Sequence, residues 1–191
     1  EIQHRLRSLP RKIHMAEISK PYTMITDFVT GREVPNIGAE ENRQAVEKLL
    51  VVEKGYLKAD ISVDVDIAIT VAGEPYRSQM DLVVSADGGD TRFMVIKCAA
   101  GSLGSREREI VAAARLLEEY QIPCAVVSDG KTAIVLDTVT GKKIGDGLDA
   151  IPSKQEAVSR LKSLPPRAFP PERREREKLI FRTYDIENVN V

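Results

Sequence analysis

Three stretches in the first half of the chain carry apolar residues in the patterns typical of β-strands. Residues 60–72 alternate strictly, which predicts a strand with one apolar and one wet face. The predicted apolar face holds Ile61, Val63, Val65, Ile67, Ile69 and Val71. Residues 77–85 and 92–98 predict two further strands, separated by Gly- and Asp-rich turns at 73–75 and 87–90. Short turns between consecutive strands predict an antiparallel meander.

Helical spacing of apolar residues predicts a helix on each side of this meander. The first covers residues 39–54 and is closed by Gly55; the second covers residues 106–121 and is capped by Ser105. The predicted buried face of the first helix holds Ala45, Val46, Leu49, Leu50 and Val52.

A short continuous apolar run at 123–128 predicts a buried strand parallel to residues 92–98, because a helix crosses over between the two. Asp129-Gly130 then turns the chain into a strand at 132–138, and Gly141 begins the exit from the sheet. We therefore expect an α/β fold, with a mixed central sheet of about five strands flanked by helices.

The same patterns divide the chain into three parts. Residues 1–35 have a basic start and weak periodicity, which indicates an N-terminal extension. Residues 36–148 form the predicted domain. Residues 149–191 contain a helix capped by Ser153 and a segment of mixed charge, which we interpret as a C-terminal helical appendage and tail.

Composition limits the class of protein. A chain of 191 residues, 42% hydrophobic and 30% charged, suits one globular domain. A net charge of −1 excludes a wholly basic surface, although a nucleic-acid groove needs only local positive charge. Two cysteines and no apolar run of about 18 residues favour a cytoplasmic protein that has no membrane partner.

Two charged residues stand inside otherwise apolar strands. Asp81 lies near the start of one strand and Lys97 near the end of the next, on the face predicted to carry Phe93 and Val95. Burying a charge without a partner is costly. Across the sheet, Asp81 and Lys97 would form either a structural ion pair or half of a hydrolytic site.

The order of these elements resembles the PD-(D/E)XK nuclease superfamily, and in particular the N-terminal nuclease domain of type I restriction enzyme R subunits and its stand-alone relatives. The resemblance covers about residues 36–144. The stretches that carry it are AEENRQAVEKLL, MDLVV, MVIK with the small-residue loop after it, EIVAAARLL and VVSDGKTAIVLDTVTGK.

This resemblance implies a restriction-endonuclease-like fold and Mg2+-dependent hydrolysis of DNA, with Mn2+ as a substitute ion. In that superfamily a strand Asp and the Glu of an E-x-K element hold the metal, and the Lys positions or activates the attacking water. Asp81 matches the Asp and Lys97 matches the Lys. Val95 stands at the position of the Glu, and a valine cannot ligate a metal.

Glu109 is a candidate for the missing carboxylate. It falls inside the apolar stripe of the second helix, and we hypothesise that it substitutes for the strand Glu as a catalytic residue and metal ligand. The alternative is that it complements the helix dipole or pairs with Lys97. The resemblance also implies a metal ligand from the first helix. Periodicity favours Glu41 and the family pattern favours Glu40, and both stay open.

The glycine-containing loop before the second helix is a candidate phosphate contact. Backbone N–H groups at Gly101 and Ser102, with Arg106 and Arg108, could approach a DNA phosphate, although such a loop is often only a turn. The expected activity is that of a Mg2+-dependent endodeoxyribonuclease of the restriction-modification type. The alternative is an inactive nuclease-fold module that binds nucleic acid or scaffolds a complex. Expected partners are DNA, a second copy in a homodimer, and a larger restriction-type complex.

Overall fold

The computed structural model describes residues 22–86, 88 and 91–189, with side chains up to residue 186. Most of the predicted N-terminal extension, and the predicted turn at 87–90 apart from Gly88, lie outside the described residues. In chain order the elements are β1 (Met24–Thr26), β2 (Glu33–Pro35), α1 (Glu40–Val52), β3 (Ile61–Val71), β4 (Glu74–Ser85), β5 (Arg92–Cys98), α2 (Glu107–Leu116), β6 (Cys124–Ser128), β7 (Ala133–Asp137), β8 (Lys142–Asp146), α3 (Lys154–Ser163) and α4 (Pro171–Val189).

Strands β3 to β8 form one six-stranded mixed sheet in sequence order, and β1 and β2 form a separate two-stranded sheet. Only the β5–β6 pair is parallel within the six-stranded sheet, which confirms the predicted meander, the crossover and the α/β class. The prediction that the chain leaves the sheet at Gly141 was wrong. Gly141 has a φ of 68° and turns the chain back into β8, an exposed edge strand with too few apolar residues to signal itself.

The sheet separates two apolar cores. One core, on the side of α1 and α3, is built from residues that include Val46, Leu50, Leu82, Ile96 and Val126. The other, on the side of α2 and α4, includes Val83, Val95, Ile110, Val127 and Phe181. The candidate functional site lies at the ends of the strands, where the two cores meet.

The hairpin of β3 and β4 changes face halfway along its length. Ile61 belongs to the α1-side core, whereas Ile67 belongs to the α2-side core. Between them Asp64 adopts a φ of 53°, and the pairing with β4 is interrupted at this residue. The prediction of one continuous apolar face was therefore wrong, because a single left-handed residue rotates the alternation. A second irregularity, between Val84 and Ser85, accompanies the packing of Phe93 on the α1 side instead of beside Val95.

The helices differ from prediction mainly at their ends. α2 covers fewer residues than predicted, and Ser105 does not cap it: the Ser105 hydroxyl donates to the Ser102 carbonyl at 2.8 Å. After α2 the Ile122 amide donates to the Ala114 carbonyl, which directs the chain into β6. The predicted cap at Ser153 is confirmed, since its hydroxyl accepts from the Glu156 amide.

The C-terminal helix α4 packs on the domain. Phe181 is fully buried in the α2-side core and meets the Tyr76 ring edge-on, with centroids 6.2 Å apart. Both cysteines are free and buried. Within the part of the chain that the structure describes, no helix is long and apolar enough to cross a membrane.

Candidate functional site at the carboxyl edge of the sheet

The carboxyl ends of the parallel strands β5 and β6 meet at one edge of the sheet, because Cys98 pairs with Ser128. The start of α1 is tied to this edge, since the Asn42 side-chain amide donates to the Ala99 carbonyl at 2.7 Å. α2 begins a few residues after the same strand end. Open α/β sheets commonly bind ligands outside the carboxyl ends of their parallel strands, so this edge is the natural place to look for a site.

The structure brings the three predicted catalytic residues together at this edge. The Lys97 ammonium lies 3.8 Å from a carboxylate oxygen of Asp81 and 3.4 Å from one of Glu109. Glu109 is fully buried, and its other oxygen lies 3.4 Å from the Arg106 guanidinium. The side chains of Lys97 and Asp81 stay 18% and 24% exposed, so solvent reaches this pair.

Burial and charge act against each other in this triad. Burial raises the pKa of the Asp81 carboxyl, and it outweighs the lowering by Lys97 and by the Cys98 amide, which donates to Asp81 at 2.5 Å. Burial alone lowers the pKa of the Lys97 ammonium, but the carboxylates of Asp81 and Glu109 outweigh it, and the net shift is upward. Lys97 is therefore a fixed positive charge between two acids at neutral pH.

Val95 occupies the position where the superfamily pattern has a metal-binding Glu. Its side chain is fully buried in the α2-side core, and its strand partner is Val83. The residue is therefore a packing residue. Any substitute carboxylate has to come from another element, and Glu109 is the one that reaches Lys97.

The two acids at the start of α1 do not join this triad. Glu40 binds the Arg43 guanidinium and the Gln44 side-chain amide, each at 2.8 Å. Glu41 is exposed and accepts from the Asn36 side chain at 2.8 Å. Among residues 22–86, 88 and 91–189, no group of three or more His, Cys, Asp or Glu side chains is placed to hold a metal ion. Of the four acids proposed from the sequence as metal ligands, the structure brings Asp81 and Glu109 together at Lys97, whereas Glu40 and Glu41 are engaged elsewhere.

The loop before α2 has a mixed character. Gly101 is exposed, and a Cβ built on it would touch nothing within 4 Å, so close approach of a ligand is sterically free. Arg106 turns inward to Glu109, whereas Arg108 points to solvent. Glu107 and Glu109 in the first turn of α2 oppose an anion at this helix start. The phosphate contact at Gly101, Ser102, Arg106 and Arg108 stays a prediction, and of these two arginines Arg108 is the exposed one.

A second charged cluster, which sequence reasoning missed, is centred on Arg43 in α1. This guanidinium is 5% exposed and lies near four carboxylates. The distances are 2.8 Å to Glu40, 3.2 Å to Asp27, 3.4 Å to Asp64 and 4.0 Å to Glu47. Arg43 and Glu47 fill the places in the buried face of α1 where Ala45 and Val52, both exposed, were expected. The sequence contained a sign that Arg43 and Glu47 are buried, because residues 43, 46, 47 and 50 follow the spacing of one helix face.

Glu47 is the acid of the Arg43 cluster whose charged form is most disfavoured by burial. It is fully buried; one of its oxygens accepts from the Val29 amide at 3.2 Å, and the other has no hydrogen-bond partner in the described structure. Burial and the nearby Asp27 charge raise its pKa to about 7, despite the opposite effect of Arg43. Near neutral pH this carboxyl is therefore partly protonated.

α4 brings a further acid close to Lys97. Asp185 is 4% exposed and accepts hydrogen bonds from the Tyr76 hydroxyl and, at 3.0 Å, from the Ser78 hydroxyl. Its charge also contributes to the raised pKa of Lys97. Residues 177, 181 and 185 follow helical spacing and are all buried. Only one of them is apolar, so the apolar pattern did not reveal this buried face.

The family model for the Type I restriction enzyme R protein N terminus matches residues 38–152, more than half of the chain. The chain belongs to this family. This confirms the resemblance in the sequence, and the observed sheet agrees with a restriction-endonuclease-like domain. β1, β2, α3 and α4 lie outside the matched residues. No curated protein and no solved structure matches the chain.

Proposed function

We propose that this domain is a DNA-binding module of restriction type that keeps the nuclease fold and does not cleave by the metal mechanism of the superfamily. One observation carries the proposal. The Lys97 ammonium stands between Asp81 and Glu109, so both carboxylates already have a cation as their partner. A metal site at this edge would have to displace that cation.

The surroundings of the candidate ligands support the same conclusion. Mg2+ takes hard oxygen ligands and is usually held by one or two carboxylates together with waters and substrate phosphates. Here Val95 supplies no oxygen, Glu40 is engaged by Arg43, and Glu109 is fully enclosed in protein. Asp81 and Glu109 are both coupled to Lys97, whose positive charge they stabilise.

The DNA part of the proposal is supported by the family and by the charge at the edge. The family is named for a restriction enzyme subunit. Arg108, in the first turn of α2, and Lys131, in the turn after β6, are exposed cations. A larger restriction-type complex is the setting we propose for such a module. A homodimer stays a prediction, which light scattering would check.

A second candidate function is Mg2+-dependent hydrolysis of DNA, with Glu109 in place of the strand Glu. The observation that favours it is the convergence of Asp81, Lys97 and Glu109 at one edge. In this candidate function Asp81 and Glu109 would carry the metal and Lys97 would act on the attacking water.

One set of measurements separates the two candidates. Duplex DNA is incubated with the protein in Mg2+ or Mn2+, and cleavage is compared with Asp81→Asn and Lys97→Met variants. We expect no cleavage above the variants, together with DNA binding that weakens with salt and is unchanged by EDTA. Metal-dependent cleavage that both variants abolish would establish hydrolysis instead. Absence of DNA binding at low salt would leave only a scaffolding role.

A further inference from the structure

A polar cleft lies between α2, α4 and the turn that joins β7 to β8. Its volume is about 440 Å³. Three arginines line it, Arg108 and Arg115 from α2 and Arg173 from α4, together with Glu107 and Glu177. The cleft therefore holds more positive than negative side chains, in a chain whose overall net charge is −1.

Arg115 lies at the base of this cleft and is held there by several contacts. Its guanidinium donates to the carbonyls of Thr138 and Val139, at 2.9 and 3.3 Å, and pairs with Glu177 at 2.8 Å. A Cβ on Gly141 would lie 3.3 Å from this guanidinium, so the turn approaches it closely. Glu177 thus neutralises Arg115, and the remaining charges of the cleft belong to residues 107, 108 and 173.

Arg108 and Arg173 are the unpaired cations of the cleft. Both are exposed, and in the described part of the chain neither forms an ion pair with a carboxylate. Arg173 is held in place by the Phe169 ring, which lies 5.6 Å from its guanidinium carbon; the same ring lies 5.4 Å from that of Arg115. Exposed guanidiniums that line a polar cleft offer hydrogen-bond donors to the oxygens of a phosphate group.

We propose that this cleft binds a backbone phosphate of duplex DNA, as a second contact beside the carboxyl edge of the sheet. The inference rests on the proposed DNA-binding function. Continuity supports it: Arg106 faces Glu109 at the edge, and Arg108, two residues later in the chain, faces the cleft. The cleft extends along α2 from Gly104 and Arg108 to Arg115, so a DNA strand that follows this side of the helix would pass from the edge into the cleft.

Because Glu107 carries a negative charge, the proposed phosphate contact predicts effects of opposite direction on DNA binding. Glu107 lines the same cleft, and its negative charge opposes a phosphate there. Removing the charge of Glu107 should strengthen DNA binding, whereas removing the charges of Arg108 and Arg173 should weaken it. A purely structural role for these three residues predicts no such pair of opposite effects.

The test measures binding of a labelled duplex by fluorescence anisotropy over a series of salt concentrations. We expect the Arg108→Gln/Arg173→Gln variant to bind about tenfold or more weakly at low salt, and the slope of log K against log salt to fall by about one unit for each lost phosphate contact. Glu107→Gln should bind more tightly than the wild type. Lys162→Gln is the control, because Lys162 belongs to α3, which packs on the other side of the sheet and lines a separate pocket with Thr91. Thermal melting of every variant checks that the fold is intact.

The outcomes distinguish this inference from the proposed function. If the wild type binds DNA and the double variant binds like Lys162→Gln, the cleft assignment alone is overturned. If the wild type does not bind DNA, the proposed function and the inference fall together. A parallel titration with pyrophosphate tests the other source of phosphate: a rise in Tm that the double variant loses, without DNA binding, would assign the cleft to a free anion and overturn the DNA assignment.

Discussion

The protein contains two charged clusters that are built in different ways. The Arg43 cluster has one cation among four carboxylates, and its central residues are almost inaccessible. The Lys97 cluster has two acids and the additional cation Arg106, and solvent reaches Lys97 and Asp81. An excess of buried acid costs stability, whereas a balanced and partly open cluster can offer charge to a ligand. We therefore interpret the first cluster as structural and propose the second as the one that can meet a ligand.

Each cluster is completed by an element that lies outside the family match. Asp27, between β1 and β2, contacts Arg43, and Asp185 in α4 affects Lys97. Asp81 connects the two clusters, because the charges of both Lys97 and Arg43 lower its pKa against the effect of burial. The two clusters can be separated by substitutions that act on one cation or one acid at a time.

The largest expected effect is that of Arg43→Met. It leaves Asp27, Glu40 and Glu47 without their buried cation, and we expect a loss of about 3–5 kcal/mol in the free energy of unfolding. Urea unfolding measures it, with Arg32→Met, an exposed arginine, as the control. Adding Glu47→Gln to Arg43→Met should restore part of the loss. A cost below about 1 kcal/mol would contradict a structural role for this cluster.

The next effect is a pH dependence that Glu47 creates. Its ordinary pKa of 4.5 is raised to about 7 in the folded protein, so folding binds a proton between these values. Its contribution to stability is therefore complete below pH 4.5 and is lost as pH rises through about 7. The full shift corresponds to roughly 3 kcal/mol as an upper value.

Glu47→Gln should remove this pH dependence, because the neutral amide still offers an oxygen to the Val29 amide. Urea unfolding at pH 5 and pH 8 compares the wild type, Glu47→Gln and the exposed control Glu53→Gln. We expect only Glu47→Gln to gain stability at pH 8 relative to the wild type. Equal pH profiles for the wild type and Glu47→Gln would refute the assignment of the buried proton.

Lys97→Met should cost less, about 1–3 kcal/mol, because Arg106 continues to pair with Glu109. The variant leaves Asp81 and Glu109 without the ammonium between them. The double variant Lys97→Met/Glu109→Gln should recover most of the stability, as measured by thermal unfolding. Equal stability of both variants would mean that Glu109 and Lys97 are not coupled.

The smallest expected effect is that of Asp185→Asn, about 1 kcal/mol. The amide oxygen can still accept from Tyr76 or Ser78, but the negative charge near Lys97 disappears. Thermal unfolding measures the loss, and Glu175→Gln on the exposed side of α4 is the control. If Asp185→Asn and Glu175→Gln melt alike, the link between α4 and the Lys97 cluster carries no energy.

Features that depend on neighbouring residues in the chain were predicted correctly more often than features that depend on distant contacts. Most strands and helices were predicted because periodicity is a local property. β8 was missed because its residues KKIGD lie at an exposed edge and have no alternating pattern. The mixed charge of α4 predicted only an appendage and tail, yet Glu177, Phe181 and Asp185 are buried, because a helix needs only a narrow stripe in contact with the core.

The site shows the same division. The neighbourhood of Asp81 and Lys97 was predictable, since a short turn between antiparallel strands sets which residues lie opposite each other. The sequence left open whether Glu109 replaces the strand Glu or complements the helix dipole or Lys97. In the structure, the Lys97 ammonium lies 3.4 Å from a Glu109 carboxylate oxygen. The gathering of four carboxylates around Arg43 was not predictable, because they come from different elements.

The sequence alone determined the α/β class, the order of most elements, the family resemblance and the Asp81–Lys97 pair, because each depends on spacing along the chain. Only the tertiary structure decided that β3 changes face at Asp64, that Val95 is a packing residue, and that α4 stands beside the site. The physical reason is that one backbone dihedral angle, or the path of one loop, redirects long charged side chains without changing local periodicity.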